Sequence, residues 1–170
     1  MVRNLIKRAV GSLTMLMEKN LNALFEMHAV VEYNLFKNFF KQTKLPEGLK
    51  HRHMRAIVNL HFKGKTTMSE MSQLLNIEKG SFTTVADKII KLGYAKNERS
   101  EKDRRVYELT LTEAGESLAK RFIQEHRDFL EVQFDKLDEK KMAKLSEALD
   151  VVNNILKEVS AENDFGTPCE

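Results

Sequence analysis

The sequence predicts a mainly helical chain with one small β-hairpin, an α+β protein in which strands are the minor part. Three observations carry that expectation. Only two prolines and seven glycines interrupt 170 residues, which favours long helices. Apolar residues recur three and four apart along most of the chain, as on a helix with one buried face. That period breaks once, between Tyr94 and Leu109, where two short β-prone runs flank the polar stretch Glu98–Arg104.

From about Ser12 to Gln42 the residues Leu13, Met17, Leu24, Val31, Leu35 and Phe39 fall at helical spacing. Val30, Tyr33, Phe36 and Phe40 widen the face toward its end, so burial on several sides is expected. Residues 2–10 either extend this helix or form a short one before Gly11. Leu45-Pro46-Glu47-Gly48 is a turn that stops it. A second helix over about Leu49–Phe62 offers Met54, Ile57, Val58 and Leu60 to a core, and Lys63-Gly64-Lys65 ends it. Thr67 followed by Glu70 predicts a capping box opening the third helix, each side chain satisfying an orphan backbone N–H. Met68, Met71, Leu74 and Leu75 are its core residues, and Asn76-Ile77 make the turn.

The fourth helix spans about Lys79–Leu92. Phe82, Val85, Ala86, Ile89 and Leu92 form its apolar side, while Ser81, Thr84 and Lys88 form a polar stripe that can face a ligand. Gly93 suits the left-handed residue that closes a helix. Strand Tyr94–Asn97, the tip Glu98–Arg104 and strand Arg105–Leu109 make the hairpin. Thr112 caps the fifth helix, whose wide apolar face holds Leu118, Phe122, Ile123, His126, Phe129, Leu130 and Phe134. Asp138 caps the last, where Met142, Leu145, Leu149, Val152, Leu156 and Val159 alternate three and four apart as a coiled-coil-like seam.

Four regions are expected: an N-terminal helical region over 1–48, a lobe over 49–115, C-terminal helices over 116–160, and a flexible tail over 161–170. Charge is uneven across them. Residues 51–110 carry 12 Lys/Arg against 7 Asp/Glu, and residues 1–50 carry 8 against 4. Residues 111–170 carry 8 against 14. Positive charge thus gathers where a polyanion can bind. No run is long and apolar enough for a membrane span, and the N-terminus lacks a secretory pattern. With the single Cys169, a cytoplasmic protein without disulfides is expected.

A short helix, a tight turn, a second helix closed by glycine and a basic-tipped hairpin together describe a winged helix-turn-helix. That module lays one helix in a DNA groove and its hairpin beside it. The stretch Leu75–Gly115 resembles the MarR family of bacterial transcriptional regulators. S-F-T-T-V-A-D-K-I-I-K-L-G-Y, then D-R-R, then L-T-L-T-E-A-G lie on its pattern without a gap, with Asp103, Arg105, Leu109, Leu111, Thr112 and Gly115 as signature. The resemblance implies a homodimer paired through its first, fifth and sixth helices, two winged lobes on a pseudo-palindromic operator, and commonly a sensed small ligand, oxidant or metal. Four positions depart from the family pattern: Glu78 in place of a small N-cap, Thr84 in place of a mid-helix arginine, and Asn97–Glu98 in place of a basic pair.

On the polar stripe and the resemblance together, Ser81, Thr83, Thr84 and Lys88 are the candidate groove contacts, and Lys79 near the helix N-terminus suits a phosphate. B-DNA's major groove admits a helix and shows each base pair distinctly. In the wing, Arg99, Lys102, Arg104 and Arg105 are candidates for a narrow, electronegative minor groove. The resemblance favours Arg105 for insertion, with Asp103 orienting it. A structural reading of Asp103–Arg105 is a hairpin-stabilising ion pair, worth ~0–1 kcal/mol if exposed.

His28, His51, His53, His61 and His126 are scattered, without nearby cysteine, and read as core or surface residues; no metal or other cofactor is expected. Cys169 reads as a free thiol. The phenylalanines at 25, 36, 39, 40, 122, 129 and 134 read first as core; an effector, if bound there, would be a small aromatic or lipophilic molecule. The sequence holds no phosphate loop, nucleophile elbow or paired catalytic carboxylates, so no enzyme is expected. The expected function is a sequence-specific DNA-binding transcriptional regulator, a homodimeric repressor of a pseudo-palindromic operator, released by a small effector. The alternative is a winged helix turned protein-interaction module, favoured by Glu78, Asn97 and Glu98.

Overall fold

The computed structural model describes the backbone of residues 2–100, 103 and 105–161, and the side chains of residues 12–100, 103 and 105–159. Its described residues form two compact units that divide between Thr43 and Lys44. Among them no helix is long and apolar enough to cross a membrane.

The first unit is one long helical run. Helix α1 (Val2–Val31) passes through Gly11 without a break, and a π-helical segment (Glu32–Lys37) joins it to α2 (Asn38–Gln42). Thr43 closes the run, its backbone N–H and its hydroxyl both donating to Phe39 O at 3.0 Å. Burial is narrower than the widening apolar face predicts. Phe39 is buried and Phe40 half-buried, but Tyr33 and Phe36 remain exposed, Tyr33 with the ammonium groups of Lys37 and Lys41 over its ring at 5.2 and 5.8 Å. Leu13, Leu16, Met17, Leu21 and Leu24 are all exposed, an apolar stripe without cover in the single chain.

The second unit begins with α3 (His51–Lys63), then β1 (Thr66–Thr67), α4 (Met68–Leu74) and α5 (Lys79–Lys91). The hairpin β2 (Ala95–Arg99) and β3 (Tyr107–Leu111) follows, then α6 (Glu113–Phe134) and α7 (Glu139–Ala161). Met54, Ile57 and Leu60 of α3 meet Met71, Leu75, Phe82, Ile89 and Leu109 in the core, all essentially without solvent contact. Each such side chain contributes about 1.5–3 kcal/mol by leaving water. Leu74 is exposed and Met68 half-buried, so α4, only seven residues long, offers the core one narrow edge rather than the predicted four residues.

The sheet runs β1-β3-β2, antiparallel throughout. Both hairpin strands lie further along than the sequence predicts. Pairing Ala95↔Leu111, Asn97↔Leu109 and Arg99↔Tyr107 buries Ala95, Leu109 and Leu111 on one face, and that burial sets the register. Strand β1 was not expected, because Thr66–Thr67 is too short for alternation to show. Thr67 serves twice: it pairs with Glu108 and accepts from the Glu70 N–H at 3.2 Å, while Glu70 returns the capping box by accepting from the Thr67 N–H at 2.8 Å. These bonds hold the Glu70 carboxyl below its ordinary range.

Thr112 joins the end of α5 to the start of α6. Its hydroxyl donates to Gly93 O at 2.6 Å and accepts from the Gly115 N–H at 3.2 Å, while its own N–H donates to Tyr94 O at 3.1 Å. A Cβ on Gly115 would lie 1.9 Å from that same Tyr94 carbonyl oxygen, so only glycine fits. The L-T-x-x-G run is thus a physical splice between helices. Asp138 accepts from the Lys141 N–H at 2.8 Å and opens α7 as expected. Along the α7 seam Met142, Leu149, Leu156 and Val159 are exposed, and Leu145 and Val152 half-buried.

Candidate nucleic-acid interface

Helix α5 has two unlike faces. Phe82, Val85, Ala86 and Ile89 are buried, while Lys79, Ser81, Thr83 and Thr84 are exposed. The turn before it uses Asn76 at φ 51°, a left-handed conformation asparagine tolerates, and the Ile77 N–H donates to Ser72 O at 2.9 Å. Glu78 sits at the N-cap and makes no side-chain bond to the helix, leaving the first-turn N–H groups beside Lys79 without a side-chain acceptor from the cap. The Thr83 hydroxyl donates to Lys79 O at 3.0 Å, so its oxygen remains able to accept.

Lys88 stands apart from that exposed group. It is half-buried, folded over the Gly48 turn so closely that a Cβ on Gly48 would be 3.0 Å from its Nζ. His53 lies in the same neighbourhood, 3% exposed. Its Nδ1 accepts from the Lys50 N–H at 2.8 Å and caps α3, while its Nε2 has no hydrogen-bond partner among the described residues. Burial first, then the charges of Arg52, Lys88 and Lys50, lowers its pKa, so the ring is neutral. The other inter-helix histidine, His61, meets Glu116 of α6 at 2.6 Å. No three His, Cys, Asp or Glu side chains gather as a metal would need among the described residues.

Alternation sorts the wing into two faces. Ala95, Asn97 and Arg99 share a side with Tyr107, Leu109 and Leu111; its near end is core, and Arg99 and Tyr107 carry it outward into solvent. Lys96, Glu98, Glu108 and Thr110 occupy the opposite side. There Glu98 pairs with Lys96 at 2.6 Å and with Lys65 at 3.6 Å, which depresses its pKa, and Glu108 accepts from the Ser100 hydroxyl at 2.9 Å. Glu98, one of the two acidic residues that break the family pattern, is therefore paired with cations locally, on the side away from the core.

At the tip, the Asp103 carboxylate accepts the Arg105 backbone N–H at 2.9 Å, and the Val106 N–H donates to Asp103 O at 2.9 Å. Asp103 thus shapes the turn through the main chain, and Arg105 is exposed. Lys102 and Arg104 lie outside the described residues. Sequence reasoning missed Tyr107, which the register sets against Arg99; the signal was their shared parity across the hairpin. It also missed His53 as the α3 cap, a bond of the same three-residue span made by a residue type outside the usual capping set.

Two helices in a helix-turn-helix, backed by a three-stranded wing, define a winged helix-turn-helix protein. Residues 47–106 match the sequence model of the MarR family. The uncharacterized HTH-type transcriptional regulator YpoP of Bacillus subtilis is 24% identical over 119 residues, covering 66% of this chain and 84% of that protein. Streptococcus pneumoniae FabT, solved in complex with DNA, is similar with a TM-score of 0.57 at 24% identity, over 86% of this chain and 99% of that one. A MarR family protein from Bacillus stearothermophilus gives a TM-score of 0.67 at 16% identity, over 82% and 97%.

Proposed function

We propose that this protein is a transcriptional regulator that binds duplex DNA as a homodimer, with α5 in the major groove and the hairpin tip in the flanking minor groove. The observation that carries the reading is the exposed set Lys79, Ser81, Thr83 and Thr84 on a helix whose other face is core, in one lobe with exposed Arg99 and Arg105. Hydroxyls and an ammonium on one face suit base edges and phosphates. Arginine suits the negative potential of a narrow minor groove. The neutralised Glu98 removes one of the features favouring a protein-interaction module.

Two exposed apolar stripes, on α1 and on α7, support the homodimer, since a monomer rarely leaves so much apolar surface in water. Two-fold pairing of the lobes suits a pseudo-palindromic operator with half-sites about 34 Å apart. The role proposed for it at that operator is repression. A small aromatic or lipophilic effector would release it by favouring a lobe spacing that does not match the half-sites, and it can do so only through unequal affinity for the two spacings. The phenylalanines at 36, 39 and 40, and those at 122, 129 and 134, are the support for that effector class.

The test is enrichment of a duplex from a randomised pool by the full chain, followed by affinity measurement across salt concentrations. Log affinity should fall linearly with log salt, and Lys79→Ala or Arg105→Ala should each reduce the slope by about one. Failure to enrich any sequence contradicts the reading.

A further inference from the structure

Arg99 is not simply one of several wing cations. Its Nε donates to the Tyr107 hydroxyl at 3.3 Å, and its guanidinium carbon lies 5.8 Å from the centre of the Tyr107 ring. The two residues are direct cross-strand partners. They stand on the core-side face of the hairpin, beyond the point where the core ends, and both are exposed. No carboxylate pairs with Arg99 among the described residues, in contrast to Lys65 and Lys96 on the other face. Tyr107 is no core residue: about half of its surface, 51%, remains in water.

The geometry points to Tyr107 as a positioning residue that presents the Arg99 guanidinium to the DNA backbone, an inference that rests on the DNA-binding reading above. Long arginine side chains lose rotamer freedom when they meet a phosphate. A ring and hydroxyl that already hold the stem remove part of that loss before DNA arrives. Engagement through Nε leaves both terminal amino groups without a partner among the described residues, and together they can meet two phosphate oxygens side by side. The contact carries no base information, so it strengthens operator and random duplex alike.

The experiment is a double-mutant cycle on the full chain, using the enriched duplex and an unrelated duplex of equal length. Tyr107→Val keeps a strand-favouring residue while removing ring and hydroxyl; Tyr107→Phe removes the hydroxyl alone; Arg99→Ala removes the cation. Tyr107→Val should weaken binding about two- to fivefold on both duplexes, and Tyr107→Phe by less. In the Arg99→Ala background Tyr107→Val should add nothing, and Arg99→Ala should lower the salt slope by about one. A purely structural role would instead lower the melting temperature and leave the salt slope unchanged. If the wild-type chain binds the duplex and Tyr107→Val is silent, or weakens binding equally without Arg99, the positioning role is wrong while DNA binding stands. If the wild-type chain binds no duplex, both fall.

Discussion

Gly115→Ala offers a sharp test of the splice between α5 and α6. The added Cβ would lie 1.9 Å from the Tyr94 carbonyl oxygen and 2.9 Å from its carbon, against a closest tolerated approach of 3.0 Å. The backbone must separate by at least 1.1 Å, the difference between 3.0 and 1.9. No rotamer change helps, because the obstacle is main chain. The same carbonyl accepts the Thr112 N–H at 3.1 Å, so moving it also loses that bond. Overpacking costs typically ~1–3 kcal/mol and the lost bond about 1, so a loss of roughly 2–4 kcal/mol is expected. For a chain of this size that lowers the melting midpoint by roughly 4–16 °C. Thermal unfolding followed by circular dichroism reads it. Gly80→Ala, with open space around its Cβ, is the control and should be neutral or slightly stabilising. A Gly115→Ala chain that melts with the wild type would refute the splice.

Thr67→Ala removes the α4 cap and should cost about 1 kcal/mol in denaturant unfolding. His53 makes stability depend on pH: its folded pKa lies below the ordinary 6.5, so as pH falls beneath 6.5 the unfolded chain takes up the proton first. Stability from this residue is thus whole above pH 6.5, falls as the pH drops from there, and levels off once the folded pKa is passed. Comparing pH-dependent unfolding of the wild type with His53→Gln should show that component lost. Glu70, with a lowered folded pKa, contributes stability above 4.5 that disappears as pH falls through its folded value, and Glu70→Gln should flatten that limb. Leu149→Lys with Leu156→Lys places charges on the exposed α7 seam and should shift sedimentation from dimer to monomer with the lobe still folded.

What the sequence revealed and what it hid follow from the range of the interactions. Capping at Thr67, Thr112 and Asp138 was legible because each bond spans three residues. The α5 faces were legible because Phe82, Val85, Ala86 and Ile89 obey one period. The strand limits were not, because the register is decided by Leu111 reaching the core opposite Ala95, a contact across the hairpin. The charged run after Asn97 read as tip, yet Glu98 and Arg99 are strand: Glu98 finds cations across the outer face and Arg99 finds Tyr107. The π-helical segment at Glu32–Lys37 left no local mark. In the candidate interface, Lys88 belongs by period to the polar stripe, but the turn at Gly48, forty residues earlier, draws it back toward the body of the lobe.

The central claim is that the polar face of α5 and the tip of the wing touch one duplex at once. Site-directed cleavage tests it most directly: a copper–phenanthroline group attached at Thr84→Cys or at Arg105→Cys, each in a Cys169→Ser chain, bound to the enriched duplex. The account predicts two cleavage clusters per lobe, a major-groove one from position 84 and a minor-groove one from position 105, about half a helical turn apart, repeated once by two-fold symmetry. Cleavage from only one position, or two clusters with no fixed spacing, would contradict it.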